Sequence, residues 1–355
     1  MVKTIFFATL VIFPFGQLLK IGFVNLFDVL ILSLAIITLF QKPKYPEWYK
    51  YFVYFLLSCV IGLLLNSSLF TVHSSLYPLR LWSYSMVAIY VFNYFKKPFT
   101  VHRSLITIAV ASALFGWLQY LIWPDLTALK YLGWDDHLLR MVGTFLDPTY
   151  LGLILVLGSI IALQKRFYLA FVFLAFSLLF TYSRSSYLVL FFVFLFDFVK
   201  NKKMFRFLLL NSIFLLLFFL PKNIGEGTTL TRTVSANSKL INYQQTYQIF
   251  KTSPLFGVGF NNICKAREIY LLDQKTESHA CNGADSSILF ILATTGVIGF
   301  LLFLSFVSKL PTSYILVTSF LVILLHSSFA NSLFYPHIMF WLFTLVGLGG
   351  KINNK

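Results

Sequence analysis

Long apolar runs separated by short polar breaks fill most of the chain, and one polar stretch, 222–284, interrupts them. A membrane-spanning helix needs about 20 apolar residues. The runs predict spans near 4–19, 23–40, 50–65, 78–95, 104–123, 148–163, 168–181, 184–199, 204–220, 285–307, 312–326 and 333–350. The expected fold is therefore all-α, a polytopic membrane protein of about twelve transmembrane helices. Its expected organisation is helices 1–9 over 1–221, a large extracytoplasmic loop over 222–284, and helices 10–12 over 285–355. The first run carries Pro14 and Gly16 where a signal peptide needs a small-residue cleavage site, so it reads as a span.

Inside the polar stretch the period changes. "KLINYQQTYQIFK" (239–251) sets Leu240, Tyr243, Tyr247 and Phe250 on one helical face, predicting a helix lying on a lipid surface or over a cavity. "TSPLFGVGFNN" follows, where Pro254, Gly257 and Gly259 break the helix into a tight loop, and "NICKAREIYLLDQ" reads as another short helix. The stretch is expected to be ordered. No heptads, low-complexity tracts or fixed-period repeats occur, which excludes a solenoid.

Composition sharpens this picture: 58% of residues are hydrophobic, 42 are Phe and only 11% are charged, which excludes a soluble domain. With the N-terminus inside, the inner segments hold Lys3, Lys42, Lys44, Lys50, Lys96, Lys97, Arg103, Lys165, Arg166, Lys200, Lys202, Lys203, Arg206, Lys309, Lys351 and Lys355. Five Lys and Arg fall in the short outer segments and seven in the long loop, which the positive-inside rule exempts. Both termini are then cytoplasmic, and the net charge of +16 is mainly a topology signal that implies no nucleic acid.

The acidic residues distribute the other way. Asp125, Asp135, Asp136, Asp147, Glu226, Glu268, Asp273, Glu277 and Asp285 all fall outside, so chemistry is expected there. Arg184, in "TYSRSSY", interrupts two apolar helices at the membrane face, where a charge needs a partner or a task. It reads as a ligand for a lipid-linked diphosphate or as an arginine snorkelling to headgroups. Arg140 opens "RMVGTFLDPTY". Together with Arg232 these arginines form a candidate anion site, because a guanidinium offers paired donors and keeps its charge. Cys264 and Cys281 share the outer loop as a disulfide candidate, with two free thiols as the other reading. No standard zinc pattern is present, so no metal and no cofactor are expected, and Asp135, Asp136 and His137 read as solvated loop residues. Asp28 is expected to pair with an arginine or to cap a broken helix. His326 and His337 receive no role.

The ordered series "RMVGTFLDPTYLG", "SRSSY", "PLFGVGFNN" and "DSSILFILATTGVIGF" resembles the motifs of the O-antigen ligase/polymerase superfamily over about residues 140–300. The resemblance implies a GT-C-like glycosyltransferase of the bacterial plasma membrane. Its substrate would be an undecaprenyl-diphosphate-linked oligosaccharide, handled at the extracytoplasmic face. Its diphosphate ligands, carried over by position, are Arg140, Arg184 and Arg232. Where the ligases have His-Asn, this chain has Asp285–Ser286, which favours a Wzy-type polymerase over a ligase.

A carboxylate at Asp285 suits general-base catalysis on the acceptor hydroxyl, while its plain alternative is a helix N-cap worth about 1 kcal/mol. Tyr182, Tyr243 and Tyr247 are candidates for stacking on sugar rings, and Arg267, His279 and Asn282 for contacting substrate. Expected partners are the lipid-linked oligosaccharide, membrane lipid and a chain-length regulator. The other readings are a ligase delivering glycan to a final acceptor and, from a different class, a flippase for lipid-linked sugar. The flippase is disfavoured because ionisable residues gather at one face rather than at the bilayer midplane.

Overall fold

The computed structural model describes residues 2–22, 24–69, 72–95, 97–201, 212, 215–221, 226–271, 281 and 283–350. Among these the chain is helical: α1 (Val2–Ile12), α2 (Leu26–Phe40), α3 (Glu47–Leu65), α4 (Val72–Tyr94), α5 (Pro98–Ile122), α6 (Pro148–Gln164), α7 (Tyr168–Leu179), α8 (Arg184–Asn201), α9 (Val234–Thr252), α10 (Ile263–Leu271), α11 (Ser287–Ser308), α12 (Tyr314–His326) and α13 (Pro336–Gly349). The departure from an all-helical fold is small. Lys20–Ile21 and Val24–Asn25 pair as a two-residue antiparallel hairpin. Helices α3, α5 and α11 are long and apolar enough to cross a membrane, and seven further described apolar helices are shorter. Eleven of the predicted spans coincide with a helix. The ninth, 204–220, lies mostly outside the described residues, and its described part includes a 3-10 turn, Leu216–Phe219.

Local chemistry sets the helix starts. Asn25 caps α2 by accepting from Phe27 N at 2.9 Å, and Asp147 caps α6 by accepting from Thr149 N at 2.6 Å. Pro98, Pro148 and Pro336 stand in the first turns of α5, α6 and α13, where a missing N–H costs nothing. Helices α6 and α13 are buried along nearly their whole length. Around them the other helices turn apolar side chains outward, such as Leu57, Leu64, Leu114 and Leu301, as a lipid-facing surface requires.

Helix α11 is two half-helices. Gly296 has φ 66° and ψ −170°, a conformation reserved for glycine. The amides and carbonyls freed by this break are taken by the loop that follows α9. Val258 N donates to Ala293 O at 2.9 Å and Gly259 N to Thr294 O at 3.0 Å, while Val297 N donates to Pro254 O at 2.9 Å. The "PLFGVG" loop and the "ATTGVIG" break therefore clasp each other, so no broken-helix backbone is left naked in an apolar setting.

The described connections fall into two groups. At one end lie the polar loops 13–25, 124–147, 180–184, 226–235, 253–262, 283–286 and 327–335. The other end carries the lysine-rich turns, with Lys44 N bonded to Asn93 Oδ1 at 3.0 Å and Lys309 facing Glu47 at 3.9 Å.

Candidate active site

The segment Arg140–Phe145 is pinned against the bundle and ends in a 3-10 turn, Gly143–Phe145. Met141 N donates to Phe180 O at 2.8 Å, and Val142 N and Gly143 N both donate to Gln119 Oε1 at 2.9 and 3.1 Å. Thr144 Oγ1 donates to Pro14 O at 2.6 Å. Gly143 (φ 57°) makes the turn and lies against Gly116, where a side chain would already be in tight contact.

This pinning buries Arg140, which is 7% exposed. Its Nε donates to Thr181 O at 3.1 Å and Nη2 to Tyr182 O at 3.4 Å. Arg232 reaches the same carbonyl from the other side, Nη2 to Tyr182 O at 3.3 Å, and also donates to Gly227 O and Thr229 O. Two guanidinium groups thus converge on one peptide oxygen. Burial, and next the Arg232 charge, push the Arg140 guanidinium down to about 10. Tyr182 presents its carbonyl because it sits at positive φ, 50°.

Arg184, the first residue of α8, donates Nη1 to Leu230 O and Arg232 O at 3.2 and 2.7 Å, and Nη2 to Ser235 Oγ at 2.6 Å. It is therefore tied to the loop that carries Arg232 and to the first turn of α9. One helical turn further along α9, Lys239 forms an ion pair with Asp285 at 3.3 Å and donates to Phe329 O.

Asp285 precedes α11. The cap of that helix is Ser286, whose Oγ accepts from Leu289 N at 3.4 Å, so the N-cap reading of Asp285 is overturned. The reason is geometric: Asp285 lies one residue too early, and its own N–H is spent on Asn242 Oδ1 at 2.8 Å. Its carboxylate is about one-third exposed and faces Lys239. Asp135 lies within reach of the same charges. Burial, followed by Asp147, Asp136 and Asp285, raises its carboxyl above the usual range, against the pull of Lys239. His137, 7% exposed, is held down to about 4 by burial first and Arg140 second. Arg140, Arg184, Arg232, Lys239, Asp135, Asp147 and Asp285 thus belong to one connected cluster at the polar end of the bundle.

The other expected residues fall as follows. On α9 Thr246 and Ile249 are buried and Lys239, Asn242 and Tyr243 half-buried; of the apolar stripe read from the sequence, Tyr243 and Phe250 are half-buried, while Leu240 and Tyr247 are 56% and 49% exposed. The packed side carries polar groups because its partners are turn carbonyls and amides, with Tyr243 Oη donating to Ser328 O at 2.6 Å. Tyr247 lies at the surface beneath the Lys251 ammonium. Tyr182 is only 2% exposed and donates its hydroxyl to Pro221 O, so its ring is packed rather than presented to a sugar. Arg267 is 9% exposed and reaches Cys281 O and Gly283 O. Cys264 and Cys281 are joined by a disulfide, with Cα atoms 4.9 Å apart. His279 and Asn282 lie outside the described residues. Among the described residues no group of three His, Cys, Asp or Glu is placed to hold a metal. Asp28 pairs with Arg80, whose Nε and Nη2 donate to its two oxygens at 2.9 and 2.7 Å.

Two residues escaped the sequence reading. Lys239 passed as one cation among many. His326, fully buried at the end of α12, faces Ser185 and Ser186 with Nε2 at 3.1 and 3.3 Å and Ser332 with Nδ1 at 2.6 Å. It locks the "SRSSY" turn against the 327–335 turn. An isolated His in an apolar run carries no signal of such a partner set. A shallow, mostly apolar hollow lies near the far ends of α6 and α8, lined by Leu163, Gln164, Phe194, Tyr314 and Thr318 among others. It is some 25 Å from the cluster along α6.

No curated protein matches the chain. Residues 169–304 match the model of a family described as O-antigen ligase, a stretch that contains Arg184, Arg232, the glycine clasp and Asp285. That match falls within the O-antigen ligase/polymerase superfamily, which the chain resembles over this stretch.

Proposed function

We propose that this protein is a polysaccharide polymerase, transferring a growing glycan from undecaprenyl diphosphate to a lipid-linked repeat unit at the outer face of the bacterial plasma membrane. In this reading both termini are cytoplasmic, the chain crosses the membrane about twelve times in a GT-C-like arrangement, and 222–284 is the extracytoplasmic loop. The observation that carries it is the joining of Arg140, Arg184, Arg232 and Asp285 through Tyr182 and the first turns of α9.

The chemistry assigns each group a task. Arg140 and Arg232, with Arg184 holding the loop between them, stabilise the diphosphate as negative charge develops on it. An acceptor hydroxyl oxygen bonds to the anomeric carbon of the donor glycan. The carbon–oxygen bond to the diphosphate breaks, its electron pair leaves on undecaprenyl diphosphate, and the hydroxyl proton passes to Asp285. Lys239 then neutralises one of the carboxylates crowded at the site.

The family description supports a second reading, a ligase that delivers the glycan to a final acceptor with the same donor chemistry. The two separate in vitro. Purified protein given one synthetic lipid-linked repeat unit yields a ladder of oligomers by mass spectrometry if it is a polymerase. Absence of a ladder, with transfer only to an added lipid acceptor, would establish the ligase instead.

A further inference from the structure

Tyr150 and Tyr335 stack face to face, with ring centroids 3.8 Å apart and planes 7° from parallel, and both are partly exposed. Each is held there by its backbone. Tyr150 lies in the first turn of α6, three residues after the capping Asp147, where side chains lean back towards the helix start. Tyr335 precedes Pro336, which forces an extended conformation (φ −73°, ψ 129°) and keeps it out of α13. Gln17 Nε2 donates to Tyr335 Oη at 3.2 Å and fixes the ring.

The pair's turn is bonded to the segment that follows Asp285. The 327–335 turn is stitched to the residues after Asp285: Ser287 N donates to Ser327 O at 2.8 Å, Ser287 Oγ to Asn331 Oδ1 at 3.0 Å and Leu333 N to Ser287 Oγ at 3.2 Å. Tyr150 is within the electrostatic reach of Asp147, Asp285 and Asp135.

We infer that the Tyr150–Tyr335 pair is the binding platform for an uncharged sugar ring of the acceptor repeat unit, with Asp147 and Asp135 accepting hydrogen bonds from its hydroxyls. This rests on the transferase reading above. The surroundings select the ligand class. The carboxylates near the pair accept hydrogen bonds from hydroxyls, and an isoprenoid chain has no hydroxyl to give them. A pyranose offers a C–H face to the electron-rich ring and hydroxyl donors at its edge.

The test uses the full-length protein in detergent and the free oligosaccharide released by mild acid from the host's lipid-linked repeat unit. Saturation-transfer NMR reads which sugar protons touch the protein, and titration gives Kd. Wild type should bind, Tyr150→Leu and Tyr335→Leu should bind about tenfold more weakly, the upper range for an aromatic contact, and the Tyr150→Phe/Tyr335→Phe double variant should bind within about twofold of wild type. A cooperative melting transition is the fold control for each. Leu variants that melt cooperatively and bind like wild type overturn the inference, as does a wild type that does not bind the free oligosaccharide. Should the Leu variants fail to fold, the Phe pair decides: equal binding supports the platform and tenfold weakening overturns it. Wild-type binding without chain elongation would sink the polymerase reading and leave the platform standing.

Discussion

Gly257→Ala tests whether the clasp between the "PLFGVG" loop and α11 is as tight as its geometry states. Gly257 has φ 69°, and a Cβ there would stand 2.2 Å from Thr294 C, 2.3 Å from Thr295 N and 2.5 Å from Thr294 O. Ordinary contact would require the two backbones to separate by about 1 Å. The loop resists this through the bonds of Val258, Gly259 and Val297 and a fourth from Ile298 N to Leu255 O at 3.3 Å. Strain at positive φ costs about 1–3 kcal/mol and overpacking about 1–3 kcal/mol. Opening the clasp instead forfeits four hydrogen bonds at about 1 kcal/mol each. Either way the loss is about 3–5 kcal/mol. Gly22→Ala is the control: its φ is 60°, yet nothing lies within 4 Å of the added Cβ, so only strain of about 1 kcal/mol remains. Thermal melting of detergent-purified protein should place Gly257→Ala several degrees below Gly22→Ala. Equal melting temperatures would refute the clasp as a rigid element.

Four further outcomes are expected. Asp285→Asn should keep protein level, because the Asn242 bond and the Ser286 cap survive, and lower the elongation rate by about 10²–10⁴-fold in the lipid-linked assay. Arg140→Lys, exposed to the burial and Arg232 charge that lower Arg140 to about 10, should deprotonate at a lower pH than Arg140 does, so its activity should decline with rising pH before that of wild type. His137 is held at about 4 against an ordinary 6.5, so its contribution to stability is complete above pH 6.5 and lost as pH falls towards 4; His137→Gln should flatten the melting temperature over that window. Reduction of Cys264–Cys281, which closes a separation of 17 residues, should cost about 3 kcal/mol and appear as a lower melting temperature that Cys264→Ser reproduces.

Much of the helical framework was legible because spanning helices announce themselves by length and apolarity; the caps Asn25 and Asp147, which set where α2 and α6 begin, emerged only with the structure. The boundaries of α9 and α10 followed from the Pro254–Gly259 break. On α9 the stripe Leu240, Tyr243, Tyr247 and Phe250 divides: Leu240 and Tyr247 are exposed, whereas Tyr243 and Phe250 are half-buried. Lys239 and Asn242 share the packed side with Tyr243, legible only once the 283–286 and 327–335 turns stand opposite it. Arg140 and Arg184 stood out by scarcity in oil. Lys239 and His326 did not, since their meaning lies in partners 46 and 141 residues away. The cap at α11 was misread by a single residue, a margin that sequence patterns do not resolve.

The arginines of the cluster hold main-chain oxygens of residues 181–182 and 227–232. In the proposed reading, an incoming anion would compete with the protein's own peptide groups rather than with water. Seating it would loosen the tether between the α7–α8 turn and the stretch leading to α9, so that substrate arrival and release of that stretch would be one thermodynamic event. Affinity would then be tunable from residues that never touch the ligand, by changing how firmly the stretch resists being let go.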